Sequence, residues 1–241
     1  MALRGQPAAG LVDAGAKGLP AFRDIGEAVF GLCEAYRDRL RGARLVSNPG
    51  CYATSVLLPL IPLLHEGLID PSDIVADAKS GATGAGRTPR EDLLFCEVAE
   101  NFSAYSPGRT HRHVGEIEAV LADRTGQRVE LTFCPHLLPV KRGILTALYV
   151  KPKADLAELK RALEAAYDGT AFVHVIDGAP PRLSDVVETN DCRISVHAAA
   201  PGRDRRPSHR FLSSGDVESF RSLGRRLLGP ELDAAEPTPW R

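Results

Sequence analysis

Long apolar runs are missing from this chain. None of its 241 residues falls in a stretch approaching the ~18–20 apolar residues that a membrane span requires. The opening MALRGQPAAGLVDAG lacks the continuous apolar core of a secretory signal, so the reading is cytoplasmic. Net charge is also missing: 30 basic residues face 31 acidic ones, which leaves no global attraction to nucleic acid or to an anionic membrane. The five cysteines, at 33, 51, 96, 134 and 192, are odd in number and include no C-x-x-C pair, which removes the main support for zinc-ribbon and thioredoxin-type sites. Thiols in such a chain are expected to stay reduced, most of them as small apolar fillers. No internal repeat is visible. What remains, 44% hydrophobic and 25% charged, is an ordinary globular composition with room for one large domain or two small ones.

The pattern of elements points to an α+β fold. Residues 26–46 read as a short helix followed by a strand, and Ser47-Asn48-Pro49-Gly50 as a cluster of turn formers ahead of Cys51. Val56, Leu57, Leu60, Ile61 and Leu64 then recur at helical spacing, with Pro59 and Pro62 predicting a helix that is kinked or starts late. Strands are expected at 74–78, 129–134, 143–150, 171–176 and 192–197. Helices are expected at 114–123, closed by Gly126, and at 155–167, opened by Asp155 with Leu156, Leu159 and Leu163 on one face. Strand, strand, helix, strand, strand is not the regular alternation of a doubly wound sheet. It predicts a mixed sheet with helices on one face. Residues 201–210, rich in Arg and Pro, read as a loop or linker.

Three segments could carry chemistry. Cys51 follows a Pro-Gly turn and opens a predicted helix, where unpaired amides and the helix dipole favour a thiolate and could hold an oxyanion. Gly50 would let a substrate come close to the backbone. His111 and His113, in HRH just before a helix, are suited to proton transfer near neutral pH. H-x-H can also bind metal, but no third ligand is suggested nearby, and no metal is expected. The loop at 80–87, with Ser80, Gly81, Gly84, Gly86 and Arg87, could form an anion nest of backbone amides and a guanidinium. Lys141 and Arg142 add two cations before a strand. Each segment alone also has a plain reading, as a buried thiol, as surface histidines or as a flexible loop.

Together the segments resemble the N-acetyl-γ-glutamyl-phosphate reductases, enzymes of arginine biosynthesis. The matching stretches are VFGLCEAYRDRLRGARLVSNPGCYATS, KSGATGAGRTPREDLLFCEVAENFSAYSPGRTHRHVGEIEAVL and FCPHLLPVKRGILTALYV, with DVVETNDC as a weaker fourth. They follow the family's order and cover most of residues 28–198. The resemblance implies a catalytic domain like the C-terminal one of glyceraldehyde-3-phosphate dehydrogenase. It also implies the NADPH-dependent reduction of N-acetyl-γ-glutamyl phosphate to the semialdehyde through a Cys51 thioester. His111 or His113 would be the general acid/base, with His111 slightly preferred. Arg87, Arg112 and Arg142 would hold phosphate or substrate carboxylates, Glu116 would orient a histidine, and Ser80, Gly81 and Gly84 would face the cofactor. The partners implied are the acyl phosphate, free phosphate and further copies of the chain in a homo-oligomer.

Two stretches depart from that pattern. Only 50 residues precede Cys51 and none of their glycines fits G-x-G-x-x-G. One βαβ unit takes ~30 or more residues, so residues 1–47 are expected to be a remnant of an α/β Rossmann domain. Residues 48–200 are expected to form the catalytic and dimerisation domain, and 201–241 a divergent tail. Two alternatives follow: an inactive remnant acting as a partner-binding module, or a reductase of a related acyl phosphate such as N-acetyl-aminoadipyl phosphate.

Overall fold

The computed structural model describes residues 28–86 and 88–198, and residues 209–215 as backbone. Arg87, residues 1–27 of the expected Rossmann remnant and the rest of the tail lie outside the described residues. The first described unit is small. Strand β1 (Val29–Phe30) pairs in parallel with β2 (Val46–Ser47), and helix α1 (Cys33–Leu40) joins them. Tyr36 anchors α1 outward: its hydroxyl donates to Asp123 Oδ2 at 2.7 Å, and Arg39 and Arg124 lie over its ring.

Helix α2 (Cys51–His65) forms the centre of the core. Its sequence is apolar on every side, and a helix with no polar face has to be covered all round. Every residue from Cys51 to Leu64 is buried. Contrary to the expected kink or late start, the helix begins at Cys51 and runs through both prolines. A proline at position 62 cannot donate to the carbonyl of Leu58, four residues earlier. The buried hydroxyl of Tyr167 donates to that carbonyl instead, so the acceptor freed by Pro62 keeps a partner.

The remaining elements build a seven-stranded mixed sheet in the order β4-β5-β3-β6-β9-β8-β7. These strands are β3 (Ile74–Ser80), β4 (Ser103–Ala104), β5 (Leu131–Leu137), β6 (Ile144–Val150), β7 (Val173–Val175), β8 (Cys192–Ala198) and β9 (His209–Gly215). β3 runs parallel to β5 and β7 to β8, and the other neighbours are antiparallel. Between β3 and β4 lies the short helix α3 (Phe95–Val98). Helix α4 (His113–Thr125) packs on β5, α2 on β6 and β9, and α5 (Leu156–Tyr167) on β7 and β8. The helices therefore share one face, with α2 between α4 and α5. Alternation along β3 follows from this: Ile74, Ala76, Ala78 and Ser80 are buried, and Val75, Asp77 and Lys79 are only partly covered. Ser55 on α2 and Thr146 on β6 share a hydrogen bond of 2.9 Å inside the core.

Local signals account for two helix ends. Asp155 caps α5 by accepting from the Glu158 amide at 2.8 Å. Gly126 ends α4 with a φ of 68°, a conformation glycine adopts without steric penalty. The strand β9 was not anticipated. His209 and Arg210 belong to a stretch read as a polar loop, yet residues 209–215 pair with β6 on one side and β8 on the other. Pairing on both sides overrides a weak local preference. Among the described residues no helix is long and apolar enough to cross a membrane.

Tyr167→Phe removes the donor to Leu58 but keeps the ring. It is expected to destabilise the chain by about 1–3 kcal/mol, because it strands a buried carbonyl. Urea unfolding checks this, and an unchanged midpoint would mean that the carbonyl finds another donor.

Candidate active site

Two helix N-termini meet at the site. Cys51 is the first residue of α2 and is buried, with Gly50 as the N-cap. His113 is the first residue of α4. The first intrahelical bond of α2 runs from the Thr54 amide to the Gly50 carbonyl at 2.9 Å, so the amides of Cys51, Tyr52 and Ala53 lie ahead of it. Glu116, one turn into α4, accepts from the Gly50 amide at 2.9 Å through Oε1. Its other oxygen lies 3.9 Å from His113 Nε2, and both side chains are 8% exposed. Burial raises the Glu116 carboxyl above its ordinary range, against the lowering effects of the Gly50 amide and of Arg112.

Gly50 has a different role from the one expected. A Cβ at this position would lie 2.4 Å from His113 Nε2, so the imidazole already fills the space that a side chain would take. The room left by the missing side chain seats the histidine and is not an opening for substrate. His111 sits beside it, with ring centroids 4.7 Å apart. The His111 ring is also packed among Tyr52, Tyr105 and Phe133. Its Nδ1 accepts from the His113 amide at 3.2 Å, which leaves the proton of the neutral ring on Nε2. Burial, helped by the charge of Arg112, pushes the His111 pKa down to about 4.

Tyr52 joins the surrounding segments and was not singled out from the sequence. Its hydroxyl donates to the His136 carbonyl at 3.3 Å, accepts from Tyr105 at 3.1 Å and interacts with Ser80. One side chain next to Cys51 thus ties α2 to the ends of β3 and β5. No local pattern marks it, since an aromatic after a turn is ordinary core composition.

The glycine-rich loop departs from the expected nest. Gly81 donates to Gly143, Ala82 to Val140 and Thr83 to Lys141, each at 3.0 Å, while Gly84 and Gly86 bond within the loop. Ser80 is buried with its hydroxyl on the Gly81 carbonyl. Gly81 lies against the Arg142 backbone, where a Cβ would meet Cα at 2.6 Å. The amides of Gly81, Ala82 and Thr83 therefore clasp the loop to residues 140–143, and those of Gly84 and Gly86 close turns within it. That clasp brings Arg142, half-buried, to the same end of the sheet. Arg112 is exposed at the start of α4. None of the five cysteines is in a disulfide. Burial pushes Cys33 up to about 12 and Cys192 higher still, as expected of inert fillers.

A buried thiol and imidazole thus stand at facing helix N-termini beside a mixed sheet, and the match to a family model makes this a semialdehyde dehydrogenase-type domain. The family model described as "Semialdehyde dehydrogenase, dimerisation domain" matches residues 51–205, well over half of the chain, and the chain belongs to that family. Within it, the chain is similar to proteins named N-acetyl-gamma-glutamyl-phosphate reductase. The one from Rhodospirillum rubrum is 51% identical over 181 residues, which is 73% of this chain and 51% of that protein. The one from Halorhodospira halophila is 48% identical, over 75% of this chain and 52% of that protein. The chain spans about half the length of these curated relatives. Among solved structures, a probable aspartate-semialdehyde dehydrogenase from Pseudomonas aeruginosa superposes with a TM-score of 0.64 at 20% identity. Aspartate semialdehyde dehydrogenase II complexed with ASA from Vibrio cholerae gives 0.65 at 13% identity. Each covers 86% of this chain and 68% of the other, and at these identities the likeness establishes the fold alone.

Two outcomes follow from this geometry. Gly50→Ala forces its methyl against the His113 ring and is expected to lower stability by about 1–3 kcal/mol through overpacking. A variant that melts with the wild type would show that the imidazole moves aside freely. His111 stays neutral in the folded chain, whereas the unfolded chain takes up the proton near the ordinary value of 6.5. Acidification from pH 6.5 toward 4 therefore favours unfolding, and His111→Gln should flatten that part of the stability profile. Parallel profiles for the two proteins would refute a ring held neutral.

Proposed function

We propose that this chain performs the thiol chemistry of an acyl-phosphate reductase, with N-acetyl-γ-glutamyl phosphate as substrate and Cys51 as nucleophile. The observation that carries the reading is His113 seated in the space of the missing Gly50 side chain, directly ahead of Cys51. Cys51 gives its proton to His113, and its sulfur attacks the acyl carbon. The carbonyl oxygen becomes an oxyanion beside the amides ahead of the first bond of α2. When the carbonyl re-forms, the acyl–oxygen bond breaks and phosphate leaves, giving a Cys51 thioester. Glu116, bonded to the Gly50 amide and close to His113, holds turn and imidazole in register. Arg112 and Arg142 are the described cations for the phosphate and the carboxylates, and Arg87 joins them from the sequence resemblance.

His113 rather than His111 is assigned the proton transfer. It touches the nucleophile's turn, whereas His111 is surrounded by aromatic rings and held neutral. The overall reaction proposed is NADPH-dependent reduction to the semialdehyde, and NADPH is implied by the resemblance. The glycine-rich loop does not fit the cofactor's pyrophosphate, because the amides of Gly81, Ala82, Thr83, Gly84 and Gly86 are already bonded. A homo-oligomer is proposed from the dimerisation-domain family.

N-acetyl-γ-glutamyl phosphate is expected to release phosphate in step with acylation of Cys51, read by mass spectrometry. Phosphate-dependent reduction of NADP+ by the semialdehyde tests the full reaction. Cys51→Ser should abolish acylation, and His113→Gln should slow it by about 10²–10⁴-fold. Acylation that persists in Cys51→Ser, or that His111→Gln suppresses while His113→Gln does not, overturns the respective assignment.

A further inference from the structure

The aromatic wall beside Cys51 holds one donor that the fold leaves unused. Around the His111 ring stand Tyr52, Tyr105 and Phe133, with centroids 6.1 Å, 5.7 Å and 5.1 Å away. The charge of Cys51 acts on both tyrosines, which places this wall at the thiol. The phenol protons are already engaged: Tyr105 donates to Tyr52, and Tyr52 to the His136 carbonyl. His111 is different. Its Nδ1 accepts from the His113 amide, so the proton of the neutral ring is on Nε2. That Nε2 has no hydrogen-bond partner among the described residues. The ring is half-buried, and Nε2 itself is not sealed from solvent.

What such a donor recognises follows from its charge. Burial, and after it the charge of Arg112, holds the His111 pKa down at about 4, so near neutral pH the ring donates as an uncharged group. An anion would draw a proton onto the imidazole, and the phosphate and carboxylate of the proposed substrate have guanidinium groups to pair with instead. A neutral carbonyl is the acceptor that suits an uncharged, partly desolvated donor. N-acetyl-γ-glutamyl phosphate carries one such group, the acetamido carbonyl, roughly 6 Å along the chain from the acyl carbon. The His111 ring is comparably near, 4.7 Å from the ring of His113 and 6.1 Å from that of Tyr52, the residue after Cys51.

We propose that His111 sets the specificity of the site for an acylated amine: its Nε2–H donates to the acetamido carbonyl of the substrate. A substrate without that carbonyl leaves the donor unpaired against the aromatic wall. This inference rests on the Cys51 reading above and adds to it the group by which the substrate is selected. His111 acts as a binding residue and takes no part in moving the proton, which stays with His113.

The test compares two acyl phosphates on the full chain. One is N-acetyl-γ-glutamyl phosphate. The other is glutaryl phosphate, which keeps the carbon chain, carboxylate and phosphate but lacks the acetamido group. Acylation of Cys51 is followed by quenched-flow mass spectrometry, and the ratio of the two second-order rates is read. The wild type is expected to favour the N-acetyl compound by about tenfold or more, as for a site donor left unpaired by the wrong substrate. His111→Phe, which keeps a ring and removes the donor, should bring the ratio close to one. His111→Gln, which offers an amide N–H, should retain most of it. Wild-type rates within about threefold of each other overturn the proposal without recourse to a variant. So does a ratio that His111→Phe leaves unchanged, or a His111→Phe that slows both compounds equally, the mark of a ring that serves the oxyanion or positions His113. If neither compound acylates Cys51, the nucleophile assignment falls and this inference with it, whereas similar wild-type rates remove the specificity role alone.

Discussion

The contact on which the site rests is the one between Gly50 and the start of α4. A carboxylate of α4 accepts the Gly50 amide, and an imidazole of α4 fills the volume where any other residue would carry its first side-chain carbon. The turn before Cys51 and the imidazole of His113, the proposed nucleophile and base, are therefore positioned by a single steric and polar interlock and not by two separate loops. The interlock brings two helix N-termini together, and each turns amide donors and a positive dipole end toward the same small volume. An acidic group beside them is electrostatically welcome, which gives Glu116 its place although burial opposes its charge.

That interlock depends on how firmly α2 is held. The helix is buried on every side and contains two prolines, a combination that leaves carbonyls without helical donors in a region closed to water. The hydroxyl of Tyr167, from the last turn of α5, serves one of these carbonyls, and the Ser55–Thr146 bond fixes the helix to the sheet. Cys51 thus stands at the end of an element whose position is specified by directional bonds as well as by apolar packing.

Much of this was legible in the residues themselves. Asp155 and Gly126 announce helix ends through local chemistry, and the period of Leu156, Leu159 and Leu163 gives the buried face of α5. The Pro-Gly turn before Cys51 marked the start of its helix. What escaped reading depends on partners distant in sequence. Pro62 is tolerated because of a tyrosine over a hundred residues away. The use of Gly50 becomes visible only once His113 lies over it. The glycines at 81 and 84 suggested an anion nest because their spacing cannot reveal that the Gly81 amide goes to Gly143 and the Gly84 amide to the Gly81 carbonyl. Strand β9 has little local signal and is specified by the two strands it joins.

The position of β9 also orders the events of folding. Without it the sheet falls into two parts, β4-β5-β3-β6 and β8-β7, which share no hydrogen-bonded edge. The first part includes the strands nearest the thiol, while the strip that unites the two lies at 209–215. During synthesis, β6 must expose its edge until those residues have emerged, and closing the gap is a late, non-local step. The open flank of β6 is a template that another strand could occupy in the interval. The chain's most vulnerable moment in the cell is thus set by one short strand that its own sequence barely marks.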